Sequence, residues 1–183
     1  MCGKSWGVLA LNSSEAFDAF YTQGATRLAR QIYAFTGDAS EASDIVQEAY
    51  IRAWSRWQRV SQLDDPQAWV RRVAYNLAKN SARRRSRMSA FPAPQQIDDS
   101  DPGERGRLEL AGAMASLSDE HRQALILHYL GGLTYSEIAQ QMAVPVGTVK
   151  SWLSRARAHL AAALAALDSE VDHERRDGTR GTN

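Results

Sequence analysis

Apolar residues recur at three- and four-residue steps along most of the chain, which is the spacing of an amphipathic α-helix. Runs of alternating β-branched residues between tight turns, the pattern typical of strands, are nearly absent. The clearest periodic run lies near the amino end, with apolar residues at Phe17, Phe20, Tyr21, Leu28, Ile32 and Phe35. The pattern therefore predicts an all-α fold.

Helix-start signals divide the first half of the chain into three helices. Ser13 or Ser14 is a suitable N-cap for the first helix. Asp38, with a glutamate three residues later, predicts the start of the second. Asp65 before Pro66 predicts the start of the third, because proline is favoured at the first position of a helix.

A change of composition separates two helical units. Residues 88–104 contain three prolines and several acids with little apolar content, which is typical of a flexible linker. We therefore expect two small helical domains over 14–87 and 105–167. The ends of the chain, 1–13 and 168–183, are expected to be a flexible amino terminus and a disordered tail.

The second unit carries a helix-turn-helix pattern. Thr134 and Glu137 form a capping box for a short helix, and Pro145 marks a turn before the last helix. The small Ala139 suits a close helix crossing. A plain helical hairpin is the alternative, but the segment from Ile138 to the end of the unit contains no acid that would repel phosphate. We expect the last helix to face DNA through Thr148, Lys150, Ser151, Ser154 and Arg155.

Basic residues are concentrated in two segments, although the net charge is only +1. Seven Lys and Arg residues and no acid occur in 71–87, and three with no acid occur in 150–167. This segregation predicts a polyanion held at two places, whereas a merely solvated face usually mixes both signs. In the first segment, side chains suited to bases and phosphates fall on neighbouring turns at Asn76, Lys79, Asn80, Arg83 and Arg84.

Tryptophans near the first cationic segment could either fill the core or stack on unpaired bases. Trp54 and Trp69 fall on the apolar stripes of their helices, so we expect them in the core. Trp57 lies off the cleanest stripe and is expected at the surface.

Several functional classes are excluded. No apolar stretch approaches the roughly 18 to 20 residues of a membrane helix, so we expect a cytoplasmic protein without membrane insertion. The single cysteine, Cys2, excludes an internal disulfide framework and a cysteine-rich zinc site. The usual phosphate-loop, hydrolase and zinc-protease motifs are absent. The chain is therefore expected to have no enzymatic activity, no cofactor and no metal.

Three segments in a fixed order carry a family resemblance. They are DIVQEAYIRAW at 44–54, WVRRVAYNLAKNSARRR at 69–85 and VGTVKSWLSRARAHL at 146–160. In this order, roughly over 14–165, the chain resembles the extracytoplasmic-function class of bacterial sigma factors. The resemblance implies two helical domains that bind core RNA polymerase and the −10 and −35 elements of promoter DNA.

The resemblance also implies roles for individual residues. Asp44, Gln47 and Glu48 match the motif that docks on the β′ clamp coiled coil, and the second domain is expected to rest on the β flap. The −10 residues would be Asn76, Lys79, Asn80, Arg83 and Arg84, with the loop over 60–65 forming a pocket for a flipped base. The −35 bases would face Lys150, Ser151, Ser154 and Arg155, with Thr148 and Arg157 on phosphates.

Two positions depart from the family pattern. Trp152 stands where many members have arginine, and Asn80 stands where many have aspartate. The linker would thread towards the active-site channel, and an anti-sigma factor is a usual partner in the family.

Two other functional classes compete with this interpretation. A helix-turn-helix regulator that acts without being a polymerase subunit would explain the second unit but not the separate cationic helix of the first. A helical protein adaptor would explain neither cationic segment.

Overall fold

Two all-helical units make up the described part of the chain. The computed structural model describes residues 5–87 and 102–178, with side chains over 14–84, 106 and 110–165. It contains no strand within those residues. The first unit consists of α1 (Ser5–Thr36), α2 (Ala39–Trp54), α3 (Trp57–Val60) and α4 (Pro66–Arg87), and the second of α5 (Pro102–Ala115), α6 (Asp119–Tyr129), α7 (Tyr135–Met142) and α8 (Val146–Gly178).

Side-chain caps fix the starts of the helices in the first unit. The Asp38 carboxylate accepts a 2.9 Å hydrogen bond from the backbone N–H of Glu41 at the start of α2. Asp65 Oδ1 accepts a 2.9 Å bond from the N–H of Ala68 in the first turn of α4. Both predicted starts are confirmed. Each cap satisfies a backbone donor that the helix itself leaves unpaired.

Equivalent caps order the second unit. Ser118 caps α6 by accepting from the N–H of His121. Thr134 and Glu137 form the predicted capping box at α7, where Glu137 Oε2 lies 2.7 Å from the backbone nitrogen of Thr134. Helix α7, the first helix of the helix-turn-helix, thus begins where the sequence predicted.

Three predicted boundaries are wrong. Helix α1 begins at Ser5, so Ser13 and Ser14 lie inside it and residues 5–13 are helical rather than flexible. Helix α5 begins at Pro102, inside the expected linker, and α8 continues to Gly178, well into the expected disordered tail. An existing helix propagates cheaply until a breaker intervenes, because only its nucleation is unfavourable. The other linker residues, 88–101, lie outside the described residues.

The core of the first unit forms where α1, α2 and α4 pack together. Ile32 from α1 and Val70 from α4 are fully buried there, and the rings of Phe35 and Tyr75 meet edge to face with centroids 5.4 Å apart. Apolar side chains of this size contribute roughly 1.5–3 kcal/mol each when fully buried.

A polar link ties the three helices of the first unit together. The Tyr50 hydroxyl of α2 donates to Gln67 Oε1 of α4 over 3.2 Å, and Gln67 Nε2 donates to the Phe20 carbonyl of α1 over 3.1 Å. Gly24 of α1 faces this link, and a Cβ there would overlap the ends of both side chains. Glycine at this position therefore allows the close approach.

The core of the second unit forms around α8, which packs on α5, α6 and α7. Its fully buried large side chains are Ile126, Leu127, Ile138, Val149 and Leu153. The tight turn after α6 requires Gly131, because a Cβ there would overlap the Leu127 carbonyl oxygen.

Tyr75 makes the stability of the first unit sensitive to alkaline pH. Its hydroxyl is buried with no hydrogen-bond partner among the described residues. Burial raises the pKa of the Tyr75 phenol well above its ordinary value, and nearby Arg71 only partly opposes that effect. At a pH between the pKa of Tyr75 in the unfolded chain and its pKa in the folded protein, only the folded state keeps the proton. The free energy of unfolding is therefore unaffected by this group below the unfolded pKa and falls as pH rises above it.

We expect Tyr75→Phe to reduce this alkaline sensitivity. In the wild type, Tyr75 should lower the free energy of unfolding by up to about 1.4 kcal/mol per pH unit above about pH 10. The variant should lose that contribution and remain as stable as the wild type, or more so, at pH 7 because no hydrogen bond is removed. Urea unfolding at several pH values measures both effects. Tyr33→Phe, at an exposed tyrosine of α1, is the control, and an unchanged alkaline slope in Tyr75→Phe would contradict the assignment.

Candidate protein and nucleic-acid interfaces

Helix α2 presents a polar docking face, which we define as Asp44, Gln47 and Glu48. Their spacing places them on neighbouring turns, with Asp44 and Gln47 exposed and Glu48 half-buried. The opposite side of the helix is buried through Ile45, Val46, Ala42 and Ala49. Burial of that side therefore forces the docking face outward.

The charge of the docking face is only partly compensated. Glu48 Oε1 lies 2.7 Å from Arg52 Nε in an ion pair one turn along the helix, and both side chains are about half exposed. Such exposed pairs contribute about 0.3–0.5 kcal/mol. A cationic group of a binding partner could replace Arg52 in the ion pair with Glu48 at a small cost in free energy.

An apolar cleft adjoins the docking face between α1 and α2. This α1–α2 cleft has a volume of about 310 Å³ and is lined by Ser14, Phe17, Asp18, Tyr21, Gln47, Tyr50, Ile51 and Trp54. Sequence periodicity did not predict it, because the cleft forms only when α1 and α2 pack against each other. The exposed fractions of Tyr21, Ile51 and Trp54 are 45%, 53% and 47%.

The expected positions of two tryptophans are reversed. Trp54 is exposed, whereas Trp57 is buried at 9% exposure. Helix α2 ends at Trp54 and the short α3 begins at Trp57, so the periodicity of α2 does not continue to it. The Trp57 ring instead lies 5.2 Å from the Phe17 ring and 5.0 Å from the Phe20 ring. Trp69, which was expected in the core, is half-buried.

Helix α4 presents the polar and basic side chains of the first cationic segment. Asn76, Asn80, Arg83 and Arg84 are exposed, and Lys79 is half-buried. The opposite side of this helix is buried through Ala74, Tyr75 and Ala78. The structure therefore brings all five predicted residues to one accessible helix surface. The side chains of Arg85 and Arg87 lie outside the described residues.

The segment before α4 divides into a buried and an exposed part. Val60 is buried at the end of α3, whereas residues 61–65 are exposed. Within that exposed part, Asp65 caps α4 and its Oδ2 lies 4.0 Å from Arg71 Nη2. An interaction with a nucleotide base would therefore fall to the residues between Val60 and Asp65.

The tight turn between α7 and α8 depends on a left-handed residue. Ala143 has φ 56° and ψ 48°, and the N–H of Val144 donates to the Ala139 carbonyl over 3.0 Å. Ile138 and Val149 are fully buried at the helix crossing, with Ala139 nearly so. Together these features form the predicted helix-turn-helix.

Most of the predicted −35 side chains are accessible on α8. Four are exposed and the other two, Thr148 and Ser151, are half-buried. The guanidinium of Arg157 is held locally, since its Nε donates to the Leu153 carbonyl over 3.2 Å. The exposed four are Lys150, Ser154, Arg155 and Arg157.

Trp152 is half-buried on α8 and contacts α6. Its ring meets that of His121 on α6 edge to face, with centroids 6.3 Å apart. The position that departs from the family pattern therefore stabilises the contact between α8 and α6.

Comparison with known proteins identifies the family. Residues 20–88 match the Sigma-70 region 2 family, and residues 107–160 match the Sigma-70 region 4 family. The chain is 35% identical over 143 residues to the ECF RNA polymerase sigma factor SigL of Mycobacterium tuberculosis, covering 74% of this chain and 81% of SigL. The chain belongs to the extracytoplasmic-function sigma factors. Promoter-specific transcription initiation is the function that these relationships support.

Other relatives extend the same relationship. The sigma factor described here is 32% identical over 166 residues to SigE of Mycolicibacterium smegmatis, covering 85% of this chain but 64% of SigE, under two thirds of that relative's length. It is 31% identical over 173 residues to the RNA polymerase sigma-H factor of Pseudomonas aeruginosa, covering 85% of this chain and 90% of that factor.

Solved structures share the fold. The sigma factor RpoE of Bartonella quintana, solved with the anti-sigma factor NepR, has a TM-score of 0.70 and 24% identity, covering 82% of this chain and 98% of RpoE. CnrH, solved with the cytosolic domain of CnrY, has a TM-score of 0.65 and 22% identity over 87% of this chain and 96% of CnrH.

The described residues include neither a membrane-spanning helix nor a cluster of metal ligands. None of the described helices is long and apolar enough to span a bilayer. Within the same residues, no three His, Cys, Asp or Glu side chains are grouped as metal ligands would be.

We expect Ala143→Gly to stabilise the helix-turn-helix. The left-handed conformation costs a non-glycine residue about 1–2 kcal/mol, whereas glycine adopts it freely. The greater entropy of glycine in the unfolded chain offsets about 0.4–1 kcal/mol of that gain, which leaves a net increase of up to about 1.6 kcal/mol in the free energy of unfolding.

The same substitution at Ala158, which is exposed within α8, is the matched control. Ala158→Gly should destabilise the unit by about 1 kcal/mol because glycine disfavours helix interiors. Denaturant unfolding of both variants measures the contrast. Destabilisation by both substitutions would contradict the proposed strain at Ala143.

Proposed function

We propose that this sigma factor binds core RNA polymerase through the docking face of α2, reads the −10 element with α4 and reads the −35 element with α8. The observation that carries this proposal is the presence, in one chain, of an acidic and amide docking face and two separate acid-free helix surfaces. The proposed polymerase partnership also implies action in the cytoplasm.

The chemistry of the docking face suits an arginine-bearing coiled coil. Asp44 and Glu48 supply carboxylates that accept paired guanidinium hydrogen bonds, and Gln47 supplies an amide between them. All three lie on a regular helix whose other side is buried, which keeps their spacing fixed. The β′ clamp coiled coil is the surface that we propose as their partner.

The α4 surface suits the non-template strand of a melted −10 element. Asn76 and Asn80 can hydrogen-bond base edges, while Lys79, Arg83 and Arg84 neutralise phosphates. Flipping a base out of the duplex costs a few kcal/mol, which contacts in a pocket must offset. We propose that the exposed residues between Val60 and Asp65 contribute that pocket.

The α8 surface suits the major groove of a −35 element. Lys150, Ser154 and Arg155 project from the amino-terminal half of the helix, as recognition-helix residues do. We assign Ser151 to the same base-facing group, with Thr148 and Arg157 on phosphates. The local bond from Arg157 to Leu153 supports a positioning contact for Arg157 rather than base readout.

The remaining partners follow from the same assignment. We propose that the second domain rests on the β flap. RpoE was solved with the anti-sigma factor NepR, and CnrH was solved with the cytosolic domain of CnrY. These relationships support an anti-sigma factor as a partner of this chain.

We expect Asp44→Ala combined with Glu48→Ala to weaken polymerase binding at least about tenfold, because two charge-assisted contacts are removed. The fold should be retained, since both side chains are solvent-accessible and alanine favours helices. Titration of core polymerase with the labelled full chain measures the affinity.

Glu15→Ala with Asp64→Ala provides a control that removes two exposed carboxylates of the same domain outside the docking face. It should leave polymerase affinity unchanged. Unchanged affinity in the Asp44 and Glu48 variant, with its thermal unfolding intact, would remove the docking assignment.

We expect Arg155→Ala to lose about 1–3 kcal/mol of discrimination at one −35 base pair, the contribution of a bidentate arginine–guanine contact. Holoenzyme transcription from promoters that each differ at one −35 position measures this loss. Arg157→Ala is the matched control and should weaken all −35 sequences alike. Uniform weakening by Arg155→Ala would instead make Arg155 a phosphate contact.

A further inference from the structure

Two side-chain contacts tie one side of α8 to the helices that precede the helix-turn-helix. Nε2 of His159 lies 2.7 Å from the hydroxyl oxygen of Ser116, which directly follows α5. Two turns earlier along α8, the Trp152 ring meets the His121 ring of α6 with centroids 6.3 Å apart. Trp152 and His159 are seven residues apart, so they lie on the same side of α8. We call these two contacts the α8 lock.

The neighbours of Ser116 fix the direction of its hydrogen bond with His159. The Ser116 hydroxyl donates to the Ala113 carbonyl oxygen over 2.8 Å. A serine hydroxyl has only one proton to donate, so its oxygen accepts the second hydrogen bond. Nε2 of His159 is therefore the donor. An imidazole that carries a proton on Nε2 meets this requirement whether the ring is neutral or charged.

The turn that carries Ser116 is itself held by a charged side chain. Nη2 of Arg122 on α6 donates to the carbonyl oxygens of Ala115 and Leu117, over 2.8 Å and 3.0 Å. These two residues directly precede and follow Ser116, and the Leu117 side chain is buried. Hydrogen bonds from an ionised donor are stronger than neutral ones. Ser116 therefore offers α8 a fixed point of attachment.

A directional contact restricts the rotation of α8 more sharply than its apolar contacts do. Val149, Leu153 and Ala156 are fully buried, but the burial of apolar surface is non-directional. A hydrogen bond weakens steeply away from its preferred angle. Helix side chains reach about 5–6 Å from the helix axis, so a rotation of about 10° moves their ends by about 1 Å. A recognition site tolerates a misplacement of only about 0.5 Å.

The α8 lock lies next to a residue that we assign to −35 readout. Arg155 is exposed. It comes three residues after Trp152 and four before His159, so it neighbours both on the helix surface. The rotation of α8 that the lock restricts is therefore the rotation that sets the direction of the Arg155 guanidinium.

We propose that Ser116 is a positioning residue for recognition of the −35 element, although it lies outside the helix-turn-helix. Ser116 fixes the rotation of α8 through His159, and Trp152 supports the same rotation through His121. This inference rests on the proposed reading of the −35 element by α8, and it extends that function to the turn between α5 and α6.

The test measures base discrimination at the −35 element with holoenzyme formed from the full chain. Transcription is compared on promoters that differ at the −35 base pair that Arg155→Ala affects. Ser116→Ala should reduce the preference for the favoured base pair about fivefold, the factor expected for the loss of one ordinary hydrogen bond. His159→Ala should do the same. The double variant should be no worse than either single variant, because both remove one shared contact.

Conservative variants separate positioning from the loss of a side chain. His159→Gln keeps an N–H donor and Trp152→Phe keeps an aromatic ring. Both should retain most of the discrimination that His159→Ala and Trp152→Ala lose. Ser40→Ala removes an exposed serine hydroxyl of the first unit and should have no effect. Thermal unfolding of each variant verifies that it is folded at the assay temperature.

The outcomes distinguish this inference from the proposed function. Wild-type discrimination in Ser116→Ala, while Arg155→Ala loses it, would overturn the inference and leave the proposed function standing. Equal weakening of all −35 sequences by Ser116→Ala would also overturn it, because the lock would then act on the fold alone. Weakening of all sequences by His159→Ala but not by Ser116→Ala would overturn it by making His159 a phosphate contact. Unchanged discrimination in Arg155→Ala as well would remove the proposed −35 role of α8.

Discussion

The close packing of α1, α2 and α4 is the constraint on which the proposed binding surfaces of the first domain depend. Small side chains such as Ala49 on α2 and Ala74 and Ala78 on α4 are completely buried and let the helix backbones approach. In so small a bundle each helix has only one side to bury. Burial of the alanine sides turns the docking face of α2 and the basic surface of α4 towards solvent. The orientation of each helix about its own axis therefore determines both how the helix packs and which surface it exposes.

The same geometry allows opposite charges to serve different partners from one small domain. Helices pack with axes 8–10 Å apart, and their outer side chains lie farther apart than that. At physiological salt the Debye length is about 8 Å. The carboxylates on the outer side of α2 and the arginines at the end of α4 are therefore screened from one another. Each can attract its own partner without much loss to the other, although the net charge of the chain is only +1.

Local signals in the sequence predicted helix starts and exposed helix faces, whereas features that depend on contacts between helices were not predicted. The starts of α2, α4 and α7 were predicted because a cap such as Asp38 acts on a backbone N–H only three residues away. The side of α2 that carries Asp44 was predicted from helical spacing alone. The reversal of Trp54 and Trp57, by contrast, follows from a break between α2 and α3. The α1–α2 cleft follows from the tertiary packing of α1 on α2, which brings together residues far apart along the chain, such as Phe17 and Trp54. The starts of α1 and α5 and the end of α8 lie beyond the predicted boundaries, because composition placed those of α5 and α8 and a serine inside the helix placed that of α1.

The two departures from the family pattern act in physically different ways. Trp152 is half-buried and its ring contacts that of His121, so it can influence recognition through the orientation of α8 on α6. Asn80 stays exposed on α4. Where an aspartate would only accept hydrogen bonds and would repel phosphate, an asparagine both donates and accepts, the combination that pairs with an adenine edge. We therefore propose that selectivity at the −10 element depends on hydrogen bonds made by Asn80, whereas Trp152 acts at the −35 element through the packing of α8 on α6.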